Sequence, residues 1–272
     1  MRAPRQGKKP AALCGARSTP RPFCAGSPVA AMLFLAGAGL MLLLSGEKGD
    51  AGPVAKLADD VIRAYVNAIG GQAAVDRIET RETQARERHG PKLTYYWQKP
   101  DKVLLIEGKR KVGYDGGSGW MLSKKKHVTK LPKGAQKPLE IDANPIRYAQ
   151  LKQLYPEVQA AAPEIFDERK MDVLIAPNDL GSTKLYFEQT THLLARVEET
   201  GETSAYFKHA TDFADYQEVD GVKLPFRIVH SSTEPGVKPQ ELRISEVTHN
   251  VLLKPDFFNK PAPGAVVLGG KR

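Results

Sequence analysis

Cysteine is nearly missing from this chain of 272 residues: Cys14 and Cys24 are its only two, and both precede the one long apolar run. Beyond that run no thiol exists to form a disulfide, act as a nucleophile or hold a metal. Paired-histidine metal spacings are missing too; His89, His127, His192, His209, His230 and His249 stand singly. Neither a P-loop nor a dinucleotide fingerprint occurs, so no cofactor is expected. Ser118 sits in Gly117-Ser118-Gly119, which lacks the spacing of a nucleophile elbow. Asp59 and Asp60 are adjacent and would project about 100° apart on a helix, unsuited to shared acid–base work. These gaps lead to the expectation of a protein that is not an enzyme.

What stands at the front is a leader, residues 1–50. Arg2, Arg5, Lys8, Lys9, Arg17 and Arg21 form a basic front before the uncharged run Val29–Leu44. Sixteen residues lie between a signal-peptide core of up to about 15 and a spanning helix of roughly 20. The run therefore reads as a cleaved export signal or a short uncleaved anchor touching the inner membrane through 29–44. A buried core helix is the bland alternative. Residues 1–50 hold seven of the 40 Lys/Arg and two of the 31 Asp/Glu, leaving the remainder near +4 rather than +9. That is too mild for nucleic acid, which needs a clustered basic face. Lys124, Lys125 and Lys126 form a tight basic run and read as a solvated hairpin.

After the leader, Val54, Leu57, Val61, Ile62, Tyr65, Val66 and Ile69 recur at helical spacing, predicting a helix over Val54–Ile69 that Gly70-Gly71 stops. A short helix over Gln72–Ile78 follows. From Thr80 the period becomes two. Runs at 93–98, 102–107, 120–123, 128–131, 169–176, 183–188, 194–199, 203–215, 222–229 and 241–247 are separated by turn signals such as Asp115-Gly116-Gly117 and Asp220-Gly221. Strands at this spacing without intervening helices imply an antiparallel meander. A helical pattern over Asn144–Tyr155 interrupts it, after a lysine- and proline-rich loop at Pro132–Pro138. Residues 263–272 read as a flexible tail, which leaves one β domain over 54–262.

Three stretches carry a resemblance. Tyr96-Trp97-Gln98-Lys99-Pro100-Asp101-Lys102-Val103 is similar to a strand–(Arg/Lys)-Pro–strand hairpin. Tyr114-Asp115-Gly116 with Trp120 is similar to an Asp-Gly turn followed by a strand tryptophan. Tyr186-Phe187-Glu188, Arg196-Val197-Glu198 and Phe213 through Asp220-Gly221-Val222-Lys223-Leu224-Pro225-Phe226 are similar to late hairpins. In this order, after a leading helix, they resemble the periplasmic lipoprotein-carrier family, in the broad sense that includes outer-membrane lipoprotein-sorting proteins (LolA/LolB-like). His192 stands where that pattern has a turn glycine, and the basic segment 124–138 is longer than the pattern.

The resemblance implies a mainly β fold with helices: an incompletely closed antiparallel barrel, a half-barrel covered by helices. It also implies a periplasmic or cell-envelope protein that binds lipid or lipoprotein acyl chains, with an envelope protein as a further partner. By alternation, the candidate lining is Tyr95, Trp97, Leu105, Trp120, Phe226, Ile228, Leu242 and Ile244. The period of two does not say which face is inside, so the set stands or falls on register. A membrane-tethered sensor or interaction module of the same fold is the second reading, and an envelope hydrolase the third.

Overall fold

The computed structural model describes residues 53–262, other than 89, 134, 137–138, 140–145, 179–180 and 202–206. The leader and the tail of 263–272 lie outside the described residues. Among the described residues no helix is long and apolar enough to cross a membrane.

Helix α1 (Pro53–Ala68) buries the stripe Ala58, Tyr65, Val66 and Ile69, with Val61 and Ile62 packed alongside. Leu57 is 57% exposed, so Ala58 rather than Leu57 takes the inward position one turn before Val61 and Ile62. The helix ends because Gly70 adopts φ +121° and lies against the Gly221 carbonyl, where a Cβ would meet that oxygen at 1.9 Å. Only glycine fits there. Lys223 N then donates to the Ile69 carbonyl (2.8 Å), fastening the helix end to the sheet. Helix α2 (Gln72–Asp76) is shorter than the predicted Gln72–Ile78.

Thirteen strands form one antiparallel sheet: β1 Thr80–Glu87, β2 Lys92–Gln98, β3 Lys102–Glu107, β4 Arg110–Tyr114, β5 Gly119–Leu122, β6 Val128–Lys130, β7 Gln159–Phe166, β8 Arg169–Asn178, β9 Gly181–Glu188, β10 Leu194–Gly201, β11 His209–Val219, β12 Val222–Ser232 and β13 Gln240–His249. Its order is β6-β5-β4-β3-β2-β1-β13-β12-β11-β10-β9-β8-β7. Two meanders are therefore joined back to back through β1 and β13, with β6 and β7 as free edges. The sheet is not closed, and with the few helices it forms a half-barrel. Between the meanders lie a 3-10 turn (Arg147–Gln150) and α3 (Leu151–Leu154), within the predicted helix of 144–155.

Three strands escaped the sequence pattern, β1, β4 and β7. In β7 the residues QAAAPEIF carry no apolar alternation, and Pro163 sits in an irregularity of the β7–β8 ladder, which an edge strand tolerates. The strand predicted over 203–215 is found as His209–Val219.

The join between β12 and β13 is short. Only Arg227–His230 pair with Gln240–Arg243, so the first half of β12 extends past its neighbour. Pro225, which has no N–H to give, lies in that overhang.

Candidate functional site

Directly paired residues in an antiparallel ladder share a face, so register decides which candidates meet. Leu105 pairs with Tyr95, Tyr95 with Thr83 and Thr83 with Val247. Leu93 pairs with Ala85 and Ala85 with Ile244; Glu87 pairs with Leu242 and Leu242 with Ile228. Phe226 stands two residues before Ile228 on the same strand. Seven of the eight candidates (Tyr95, Trp97, Leu105, Phe226, Ile228, Leu242 and Ile244) therefore lie on one face. This is the face under α1: Trp97, Phe226 and Ile244 belong to the cluster that α1 covers, with Tyr65 against Phe187 at 5.2 Å between ring centroids.

A register irregularity makes this possible in β13. Val247 and Ile244 are three apart, yet both reach the helix-covered side because the β1–β13 register shifts between Gln84 and Ala85.

The structure does not bring Trp120 to that face. It pairs with Gly113, which pairs with Leu104, which pairs with Tyr96. All four lie on the outer side. There Trp120 belongs to a second cluster with Leu104, Leu122 and Phe258, and Tyr96, Ile106, Leu253 and Phe257 pack against it. Trp120 Nε1 donates to the Phe258 carbonyl at 2.8 Å. Its ring fills the space over Gly113, where a Cβ would come within 2.5 Å of it. Sequence alternation within β5 alone offered nothing to separate these sides.

Three polar side chains stand together on the helix-covered face, and none was anticipated as a polar group there. Arg81 pairs with Trp97 on β2 and with His249 on β13. Trp97 is 4% exposed and its Nε1 has no hydrogen-bond partner; His249 is 8% exposed and its Nε2 has none. The other ring nitrogen, Nδ1, lies 3.1 Å from Asp220 Oδ2. Burial lowers the His249 pKa, the positive charge of Arg81 lowers it further, and Asp220 pulls the other way. The Arg81 residue is partly buried, and the loss of water around its guanidinium pulls its pKa down to about 10. Among the described residues the Arg81 side chain makes no hydrogen bond or ion pair. Glu79, two residues back, is turned to Lys99 Nζ (3.1 Å). In the sequence, TRETQARE gives no apolar rhythm from which to place Arg81 inside, and His249 lies beyond the irregularity.

Ser118 sits in a turn built by Asp115, whose Oδ1 accepts from Gly117 N (3.0 Å) and Ser118 N (2.7 Å), with Ser118 Oγ 3.4 Å from Oδ2. Among the described residues no group of three His, Cys, Asp or Glu is placed to hold a metal ion.

No protein-family model and no curated protein matches the chain. Solved structures do. A DUF1329 family protein from Desulfovibrio piger superposes with TM-score 0.53 at 12% identity, over 74% of this chain and 96% of its own. A putative outer membrane lipoprotein-sorting protein domain from Vibrio parahaemolyticus superposes with TM-score 0.52 at 15% identity, over 75% of this chain and 97% of its own. A LolA superfamily protein from Nitrosomonas europaea reaches 0.48 at 10% identity, over 74% and 96%. At these identities the likeness is one of fold: the chain has the architecture of the DUF1329 protein and of the lipoprotein-sorting domain.

Proposed function

We propose that this chain is a non-enzymatic cell-envelope protein whose half-barrel binds the acyl part of a lipid or lipoprotein. One observation supports the reading most. Apolar side chains line one face on both flanks of β1, Leu105, Tyr95 and Trp97 on one side and Ile244, Leu242, Ile228 and Phe226 on the other, on a sheet that never closes. Acyl chains bind by area removed from water, at roughly 25 cal/mol per Å², and need no directional partner along such a face. The lipoprotein-sorting domain from Vibrio parahaemolyticus shares the fold, which agrees with the reading. In this proposal residues 1–50 deliver the domain of 54–262 to the periplasm, and 263–272 is a tail.

The packed contact between α1 and the sheet also suits a second reading, a tethered sensor or interaction module. Under the carrier reading, α1 must shift to admit a chain. The chain isolated from envelope fractions should yield lipid on organic extraction and mass spectrometry, and should take up a fluorescent fatty acid. Hydrogen exchange of α1 amides should change on uptake. Extracts free of lipid together with no uptake would end the carrier reading, and an α1 unmoved by any lipid would favour the module. Sequencing the mature N-terminus shows whether the protein is released or stays tethered.

A further inference from the structure

A face that only received hydrocarbon would have no use for a cation. Arg81 nevertheless sits at the centre of three adjacent strands on that face, between Trp97 and His249. Its neighbour on the same side of β1 is Thr83, itself buried. Glu82, the adjacent carboxylate, pairs with Tyr96 and so lies on the outer face. Asp220 is held at the Nδ1 side of His249 and is 68% exposed. A cation kept for structure has a carboxylate partner, because an unpaired charge withdrawn from water is costly. A buried indole N–H ordinarily finds an acceptor as well. Here the guanidinium and the Trp97 N–H lack an acceptor and His249 Nε2 lacks any partner, on three residues paired across neighbouring strands.

One ligand group would answer all three. We propose that Arg81, Trp97 and His249 seat a single oxyanion, the carboxylate or phosphate headgroup of an amphiphile whose tail lies along the apolar side chains of that face. This rests on the acyl-binding reading for the tail, while the headgroup seat rests on the three residues themselves. The guanidinium offers a planar fork of donors suited to a carboxylate or phosphate, and the indole adds one more. With Nδ1–H given to Asp220, His249 Nε2 carries a lone pair and accepts a proton when negative charge arrives. The groups facing that imidazole are Arg81 from β1 and Asp220 from the β11–β12 turn. The anion offsets the repulsion from Arg81, so binding takes up a proton and tightens as pH falls from 8 to 6.

The test uses the chain isolated from the cell envelope, stripped of lipid, with ¹⁵N-labelled tryptophan. The probes are palmitate, hexadecyl phosphate, hexadecanol and inorganic phosphate. The chain has two tryptophans, and the indole of Trp120 is already hydrogen-bonded, so the free one reports the seat. Palmitate or hexadecyl phosphate should bind about 10-fold to 100-fold tighter than hexadecanol, as charged hydrogen bonds allow. The Trp97 indole N–H should move downfield while that of Trp120 stays. The tighter of the two charged probes identifies the headgroup. In Arg81→Met the preference over hexadecanol should vanish. Arg81→Lys and Trp97→Phe, which keep the charge and the shape respectively, should each retain part of it and serve should the methionine variant fail to fold. Equal binding of palmitate and hexadecanol overturns the seat and leaves the acyl reading intact. No amphiphile binding, with inorganic phosphate still shifting Trp97, supports the seat and removes the acyl reading. A Trp97 indole indifferent to every probe overturns the seat.

Discussion

The two tryptophans are almost equally buried, at 4% for Trp97 and 2% for Trp120, and they sit on opposite faces of the same meander. Trp120 is finished: its ring rests on Gly113, its N–H is bonded to Phe258, and Phe257 packs between Tyr96 (4.8 Å) and Phe258 (5.3 Å). Trp97 is unfinished, with an orphaned N–H beside an unpaired guanidinium and a half-bonded imidazole. Depth of burial therefore does not separate an aromatic that is complete in the fold from one that is not. Satisfaction of its polar atom does. Around Trp120 the outer face is covered by Leu253, Phe257 and Phe258, whereas the helix-covered face keeps polar groups for which the described fold has no partner.

The largest break in this comparison is Trp120→Ala. Emptying the outer cluster should cost about 3–5 kcal/mol of unfolding free energy, seen as a lower urea midpoint. Trp120→Phe should cost about 1–2 kcal/mol, since it leaves the buried Phe258 carbonyl without its donor. Trp97→Phe should cost under about 1 kcal/mol, because no hydrogen bond is lost. Equal costs for the two phenylalanine variants would erase the contrast. Gly113→Ala comes next, at about 1–3 kcal/mol, as its Cβ is driven into the Trp120 ring at 2.5 Å. Paired with Trp120→Phe, that cost should shrink, which a double-mutant cycle measures.

How much of this could be read from sequence follows from where alternation is clean. In β12, Val222, Leu224, Phe226 and Ile228 alternate with polar or smaller-consequence neighbours, and the face is legible. In β2 and β3 both sides are apolar: Tyr96, Leu104 and Ile106 meet the C-terminal segment while Tyr95, Trp97 and Leu105 face inward. A strand buried on two sides has no rhythm to read, and this is how Trp120 joins the wrong set. The helix α1, the Asp-Gly turns and the antiparallel meander are visible because each is local. The Arg81–Trp97–His249 group is not, since it brings together residues from β1, β2 and β13, and the pairing of the first strand with the last appears nowhere in local pattern.

A third break changes sign. Arg81→Met removes a cation that has no partner, and so should stabilise the lipid-free protein by roughly 1–3 kcal/mol while abolishing the headgroup preference. Thermal unfolding of the lipid-free and palmitate-loaded forms checks both halves. A methionine variant that is less stable than the parent when empty would mean that Arg81 has a structural partner after all. Substitutions around Trp120 should show no such reversal, because there every lost contact is a lost structural contact.

The smallest effect is in pH, and it sharpens the contrast between the faces. His249 and His230 both have pKa values lowered from the ordinary 6.5: burial is the main cause in each, with Arg81 adding to it at His249 and Arg147 at His230. Below pH 6.5 the unfolded chain binds these protons and the folded chain does not, so folding stability rises with pH through that window. It is complete above about pH 6.5 and is lost on acidification until the lower folded values are passed. The slope cannot exceed about 1.4 kcal/mol per pH unit for each histidine. His249→Asn should remove its share, and Arg81→Met should remove part of that same share by lifting the repulsion on the imidazole. Trp120→Phe, on the far side of the sheet, should shift the whole stability curve downward without altering its shape between pH 8 and 5. Urea titrations across that range measure all three, and an Arg81→Met curve parallel to the parent's would show that Arg81 and His249 do not sense each other across the β1–β13 ladder.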